Sequence, residues 1–279
     1  MPSPNPPSTP PAHAPIRLVA LDLDGTLLND AKEVSQRTLE ALAGLSQRGV
    51  KVVIATARPP RSVRHIYQQL RLDTLQINYN GALIWDPLAK TAFFHRPIPA
   101  DVVRNIIASA REAYSDVQVT CEVLDRWYTD FFDPRYITET GRLFRPDVIA
   151  PIDKFLTEPI TKLLLLSNPL ILDALVPALG QAYEREVSLV RTEPNLIQIM
   201  ERQVSKARAL MMVARFYEVP MNQVMAIGDA PNDVGMLQSS GIAIAVDNAH
   251  PRVKEVAHWV APSNNDHGVQ AALERYGLV

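Results

Sequence analysis

The run Ile16-Arg-Leu-Val-Ala-Leu-Asp-Leu-Asp24 constrains this chain most, because it is a short apolar strand that stops at two aspartates and Gly25. The next segment, Ser35 to Arg48, carries Leu39, Leu42 and Leu45 at helical spacing and halts at Gly49, a common C-terminal signal. Val50 to Ala55 is a second continuous apolar strand, Pro60 to Leu70 a helix, and Leu75 to Tyr79 a third strand ending at Asn80-Gly81. Near-continuous apolar strands alternating with helices point to a buried parallel sheet.

The same rhythm returns near the end of the chain. Ser205 to Tyr217 is expected as a helix and Gln223 to Ile227 as a strand ending at Gly228-Asp229. A short helix over Asn232 to Gln238 and a strand over Ile242 to Val246 follow. The middle differs: a helix from Ile98 to about Tyr114, strands within Val117 to Thr129, a strand over Lys162 to Leu166 and a helix over Leu170 to Tyr183. Val187 to Arg191 and Leu196 to Met200 flank Thr192-Glu-Pro-Asn195, a hairpin signal. The expectation is an α/β fold with a Rossmann-like parallel-sheet core domain and an inserted α+β cap domain. Residues 16–82 and 202–279 would form the core and 83–201 the cap, with a Pro-rich tail over 1–15.

Composition removes several function classes. Lys+Arg number 28 against 30 Asp+Glu, a net charge of −2, so no global field favours nucleic acid or an acidic membrane. The single Cys121 excludes an intrachain disulfide and a thiolate zinc cluster. Met1 to Pro15 holds seven prolines without Lys or Arg, which is not the plan of a signal peptide, and is expected as a disordered leader. The most apolar stretch, Leu163 to Leu179, is interrupted by Ser167, Asn168, Pro169, Asp173 and Pro177. That falls short of the roughly 20 apolar residues of a membrane span. A cytoplasmic protein acting on a small molecule, with no nucleic-acid or membrane partner, is expected.

In open parallel sheets, functional groups collect beyond the C-terminal strand ends. Those positions hold Asp22 and Asp24, then Thr56 and Arg58, then Asn80, then Asp229, Asn232 and Asp233, with Lys206 opening a late helix. Asp22 and Asp24 are two apart, so an extended segment projects both carboxylates to one side, and Gly25 permits a sharp turn. Clustered carboxylates repel unless a cation sits among them; Asp229 would supply a third oxygen. An oxygen-only set without Cys or His suits Mg²⁺. Thr56 offers a hydroxyl and an N–H for a phosphoryl oxygen, or simply caps a helix. Lys206 follows Ser205, a plausible N-cap, and so lies in a first turn where the macrodipole disfavours a cation unless it faces an anion. A solvent-facing lysine is the plainer alternative.

Together these residues resemble the haloacid dehalogenase superfamily of phosphohydrolases. Asp22-Leu-Asp-Gly-Thr26 looks like its first motif, Thr56 its second, Lys206 its third and Gly228-Asp-Ala-Pro-Asn-Asp233 its fourth. Asn80-Gly-Ala82, Val204-Ser-Lys206, Asp247-Asn-Ala249 and Asn264-Asn-Asp-His-Gly-Val269 place it near the Cof-type phosphatases with a large α/β cap, type IIB. The resemblance implies Asp22 as nucleophile, Asp24 as general acid then base, and Thr56 with Lys206 holding the transferring phosphoryl group. It implies Mg²⁺ at the Asp22 carboxylate, the Asp24 carbonyl and Asp229, with Asp233 in the same acidic group. Gly25, Thr26, Ala57, Arg58, Asn80, Gly81 and Asn232 are the expected substrate-binding residues.

The chain departs from the family's pattern at Ala57 and Ala207, where Gly is usual, and at Asp247, also in a Gly position. The alternatives are a sugar phosphomutase or a sucrose-phosphate-phosphatase-like enzyme and, outside enzymes, a phosphate-ligand-binding relative or a receiver-like signalling module. The receiver lacks a large insertion, and a second carboxylate beside the nucleophile suits hydrolysis of an acyl-phosphate rather than its preservation. His65, His95, His250, His258 and His267 lack metal-ligand spacing and are expected as surface or capping residues. Trp127, Tyr128, Phe131 and Phe132 are expected in the cap core in preference to its substrate-facing edge, and Cys121 and Glu122 in the cap, where reach to the substrate is left open.

Overall fold

The computed structural model describes residues 14–137 and 139–279; the proline-rich leader expected at 1–15 falls, up to residue 13, outside the described residues. In chain order the first elements are β1 (Leu18–Leu21), α1 (Gln36–Gln47), β2 (Lys51–Ile54), α2 (Pro60–Leu70) and β3 (Gln76–Asn78). Then come β4 (Leu83–Asp86), β5 (Thr91–His95), α3 (Ala100–Ala113), β6 (Gln118–Val123), β7 (Arg126–Thr129), α4 (Glu139–Leu143) and β8 (Val148–Ile149). They are followed by β9 (Lys162–Leu166), α5 (Pro169–Ala182), β10 (Val187–Glu193), β11 (Leu196–Glu201) and α6 (Lys206–Phe216). The last are β12 (Val224–Gly228), α7 (Val234–Ser239), β13 (Ile242–Val246), α8 (Pro251–Lys254), β14 (Trp259–Ala261) and α9 (Gly268–Arg275).

The chain divides into two compact units, one holding residues up to 55 with 69–74 and 210–279, the other 56–68 with 75–209. The first is built on a five-stranded sheet in the order β14-β13-β12-β1-β2, every pair parallel. β1 reads Leu-Val-Ala-Leu with all four side chains buried, as a strand covered on both faces requires. α1 begins where Ser35 accepts the Thr38 N–H. It ends where Gly49, at φ +76°, lets Gly49 and Val50 donate back to Ser46 and Leu45. Those two bonds satisfy carbonyls the helix end would otherwise orphan.

The second unit carries a six-stranded sheet in the order β10-β11-β9-β6-β7-β8, antiparallel except for the β7–β8 pair. Val103, Ile106, Ile107 and Ala110 of α3 and Leu172, Leu175 and Leu179 of α5 share one apolar core with Val119, Cys121, Leu163, Leu165, Ile197 and Ile199 of the sheet.

β3 departs from the expected pattern. It does not extend the parallel sheet but pairs antiparallel with β4, which pairs with β5, in a separate three-stranded sheet. Its partner is the next segment in sequence, a hairpin whose exposed second strand has no clear apolar face: Thr91, Ala92 and Phe93 are all exposed. Among the aromatics expected in the core, Trp127 is buried and Tyr128 stacks on Phe155. Phe131 is exposed instead, beside the Arg111 guanidinium. Among the described residues, no helix is long and apolar enough to cross a membrane.

Candidate active site

In the first unit the site is assembled at the C-terminal ends of β1 and β12, which are parallel neighbours. Asp22 immediately follows β1, donates its N–H to Ile227 O at 3.0 Å and is buried. Leu27 and Leu28 both donate to Leu23 O, closing a tight turn around 24–26. Gly25 sits in that turn at φ +81°, and a Cβ there would lie 2.5 Å from Asp229 Oδ2. Only glycine allows both the backbone angle and this approach. Thr26, also buried, donates its hydroxyl to Asp229 Oδ1 at 2.8 Å and so fixes the rotation of that carboxylate.

Asp229 follows β12, and Asp233 closes the turn beyond it. Asp233 is fully buried, its Oδ2 accepting the N–H groups of Asp229 and Ala230 at 3.1 and 3.0 Å. A Cβ on Gly228 would stand 2.6 Å from the Cβ of Asp233, so this position too is held to glycine. One oxygen from each of Asp22, Asp229 and Asp233 lies within 4.8 Å of the others. Three carboxylates at that spacing, two of them buried, repel strongly unless a cation neutralises them. The donor set is all oxygen, which fits a hard divalent ion.

The Asp24 carboxylate, in the turn after β1, is half-exposed and paired with Lys32 Nζ at 2.8 Å. Asn232 is exposed in the turn after β12. Several bracing residues had no role assigned from sequence. Asn248 Nδ2 donates to Gly25 O at 2.7 Å, its Oδ1 accepts Asn264 N–H, and Asn264 Nδ2 reaches Leu28 O. His250 N–H holds Asp229 O at 2.8 Å, and its Nδ1 accepts from Arg252 N–H at the start of α8. The resemblance had marked these stretches, but only the folded chain shows that they clamp the loops after β1 and β12. Asp247 is an exposed carboxylate paired with Lys254 Nζ at 3.0 Å.

The second unit gathers a different set. Thr56 is buried, its N–H donating to Ile77 O and its carbonyl accepting Asn80 N–H, while its hydroxyl accepts Arg58 N–H at 3.2 Å. Arg58 O is held by Asn78 Nδ2 at 3.1 Å, and Ala57 and Arg58 are half-buried. Tyr79 and Asn80 both adopt left-handed backbone, at φ 48° and 56°. Consecutive non-glycine residues there are strained, and such strain collects at functional loops. Gly81 follows at φ +101°, where a Cβ would lie 2.4 Å from Ser205 O. Ser205 caps α6 by accepting Arg208 N–H, and Lys206, the first residue of that helix, is 1% exposed. The solvent-facing alternative for Lys206 is thereby removed.

Sequence reading missed a buried ionic cluster in this unit. Arg61, at the start of α2, places Nη2 2.6 and 2.8 Å from the two Glu122 oxygens, and its N–H donates to Asp125 Oδ1 at 2.7 Å. Tyr79 Oη lies 2.8 Å from Leu124 O and 3.2 Å from Glu122 Oε2, and Lys162 Nζ stands 5.1 Å from the Tyr79 ring centre. The pairing of β6 with β9 sets Glu122 opposite Lys162. Burial pushes the Lys162 ammonium down to about 8 against the opposing pull of Glu122, and burial with Glu122 raises the Tyr79 hydroxyl. Burial also raises the Cys121 thiol well out of the reactive range, so it is no nucleophile candidate.

The Lys162 shift has a measurable consequence. Unfolded, a lysine titrates near about 10.4, so between about pH 8 and 10 the unfolded chain keeps a proton that folded Lys162 has lost, and this group's contribution to stability rises with pH. That contribution grows by at most about 3 kcal/mol, while Cys121 and Tyr79, both held protonated longer in the folded state, act in the opposite direction. Urea unfolding of the wild type and Lys162→Met from pH 7 to 10 isolates it: the stability of the wild type relative to the variant should climb above about pH 8.

Residues 19–273 match the haloacid dehalogenase-like hydrolase family. The chain belongs to that family. Several of the proteins it resembles are named phosphatases. The 5-amino-6-(5-phospho-D-ribitylamino)uracil phosphatase YitU of Bacillus subtilis is 31% identical over 262 residues, covering 93% of this chain and 97% of the relative. A second Bacillus subtilis enzyme named for the same activity, YcsE, is 28% identical and covers 94% and 96%. The solved structure of a haloacid dehalogenase-like hydrolase from Bacteroides thetaiotaomicron superposes with a TM-score of 0.85 at 25% identity, covering 94% and 99%. A phosphatase of the same superfamily from that organism gives 0.79 at 28% identity, covering 95% and 96%.

Proposed function

We propose that this chain, a phosphoric monoester hydrolase of the haloacid dehalogenase type, removes phosphate from a small phosphorylated metabolite in the cytoplasm. It works with Mg²⁺ and through an aspartyl-phosphate on Asp22. The observation that carries the reading is the convergence of the Asp22, Asp229 and Asp233 oxygens within 4.8 Å beside a turn that only Gly25 can make. The two Bacillus subtilis relatives direct attention to phosphorylated polyols attached to a heterocycle, of which 5-amino-6-(5-phospho-D-ribitylamino)uracil is the first to test.

The chemistry follows from the side chains. An Asp22 oxygen attacks phosphorus in line with the ester oxygen, the P–O bond to the alcohol breaks, and the phosphoryl group is left on Asp22. Asp24 gives its proton to the departing alkoxide, and the resulting carboxylate then takes a proton from the water that attacks the acyl-phosphate, restoring Asp22. Lys32, 2.8 Å from Asp24, stabilises the carboxylate form and is positioned to tune this cycle. Thr26 holds Asp229 in one orientation, so that Asp22 and Asp229 present fixed oxygens. The Asp22 carboxylate, the Asp24 carbonyl and Asp229 would hold Mg²⁺, with Asp233 bracing Asp229 through its backbone. The ion supplies charge neutralisation for the phosphate oxygens. Thr56 and Lys206 are assigned the phosphoryl group, the buried ammonium of Lys206 meeting its negative charge.

Phosphate release should be measured across sugar phosphates, nucleotides, phosphorylated cofactors, the ribitylaminouracil phosphate and para-nitrophenyl phosphate, with Mg²⁺ and with EDTA. Metal-dependent release with one class far ahead supports the reading. Transfer of phosphate between positions of a sugar, with little release, would replace it with the mutase.

A further inference from the structure

Thr56, Arg58 and Asn80, three of the residues assigned to phosphate and substrate in the second unit, lie on two backbone segments, 56–58 and 79–81. Those segments hold each other by two backbone bonds, Asn80 N–H to Thr56 O at 2.9 Å and Tyr79 N–H to Arg58 O at 3.4 Å, and Asn78 Nδ2 donates to Arg58 O at 3.1 Å. Neither is part of a long ladder, and the second segment is strained at Tyr79 and Asn80. Their geometry therefore depends on what grips them from outside.

A single carboxylate touches the continuation of both. Glu122, next to the end of β6 and almost fully buried, takes Arg61 Nη2 on both oxygens, three residues beyond Arg58. Its Oε2 also lies 3.2 Å from the hydroxyl of Tyr79, the residue before Asn80. The turn after β6 completes the grip: Asp125 accepts the Arg61 N–H at the opening of α2, and Leu124 O accepts the Tyr79 hydroxyl. That turn is itself pinned by Leu124 N–H to Thr161 Oγ1 at 2.8 Å. A buried ion pair is a weak source of stability, because desolvation offsets most of the attraction. What it supplies well is direction, since charge-assisted bonds from the single Nη2 to both carboxylate oxygens anchor that end of the guanidinium.

We infer that Glu122 is a positioning residue: through Arg61 on one side and Tyr79 on the other, it sets the relative placement of the 56–58 loop and Asn80 and thereby the grip on the phosphoryl group. The link to phosphate rests on the function proposed above; the control of loop geometry does not. Asn78 also ties the two stretches, through Nδ2 to Arg58 O, whereas Glu122 grips a side chain from each. Glu122→Gln keeps the size and an acceptor for Tyr79 but loses the charge that orients Arg61.

The test compares the wild type, Glu122→Gln, Tyr79→Phe and the double variant Arg61→Met/Glu122→Leu, which removes both charges of the pair at once. Two readouts are taken: hydrogen exchange of the Thr56, Arg58 and Asn80 amides, and the inhibition constant of inorganic phosphate alongside KM and kcat for para-nitrophenyl phosphate. Glu122→Gln is expected to speed exchange at these amides and to raise KM and the phosphate inhibition constant about tenfold, as loss of a supporting shell does, with a smaller change in kcat. The double variant should stay folded yet show the same weakened phosphate grip. Should Glu122→Gln not fold, the double variant decides by itself. Wild-type exchange and wild-type phosphate inhibition in the folded variants would overturn the inference. Absence of phosphate release from the wild type would defeat the proposed function instead, and the exchange data would still decide whether Glu122 governs the loop.

Discussion

Replacing Asp22 with Asn is expected to lower phosphate release by at least about a thousandfold while leaving the fold intact, because removing a nucleophile takes away the whole covalent route. Asn is nearly isosteric, and Asp22 is held through its backbone N–H to Ile227 O, which the substitution retains. Removing one of three converging carboxylate charges also relieves repulsion, so the unfolding midpoint without metal should rise rather than fall. The check is steady-state release by both proteins with Mg²⁺, together with thermal unfolding in EDTA. A variant that is inactive and destabilised would leave loss of fold as the cause; one that is inactive and stabilised isolates the carboxylate.

The second large effect is expected at Gly25. Gly25→Ala puts a methyl 2.5 Å from Asp229 Oδ2 at a backbone angle that non-glycine residues occupy with strain. The angle alone costs about 1–3 kcal/mol. Relieving the clash must move Asp229 or the turn, breaking the Thr26–Asp229 hydrogen bond at 2.8 Å. A displacement of this size in a positioned site costs on the order of a hundredfold in rate. Activity should therefore fall further than stability, and the concentration of Mg²⁺ needed for half-maximal rate should rise. Thr26→Val, which removes only the hydrogen bond, should show the same metal effect in weaker form.

What could be read from the sequence was what depends on neighbours in the chain. Ser35 and Gly49 bracket α1 as expected because capping is a property of a few consecutive residues. The apolar runs of β1, β12 and β13 announced a buried parallel sheet, and their pairing puts Asp22 and Asp229 at adjacent strand ends. β3 was misplaced because its sheet partner is chosen by an edge hairpin whose second strand is exposed and unpatterned. Glu122 was marked only as a cap residue within reach of a substrate, and its bracing contacts were not visible: its partners are 61 and 43 residues away, and a lone glutamate in a strand shows no pattern until the fold brings Arg61 and Tyr79 to it.

The central claim is that Asp22 carries the phosphoryl group. Rapid acid quench of the enzyme during turnover with Mg²⁺, followed by peptide mass spectrometry, tests it most directly. The account predicts an adduct of about 80 Da, one phosphoryl group on a carboxylate, confined to the peptide containing Asp22 and absent from Asp22→Asn. With para-nitrophenyl phosphate, whose leaving group departs without a proton, its yield should increase in Asp24→Asn, where the base for the second step is missing. Turnover without any such adduct, or an adduct on another residue, would contradict it.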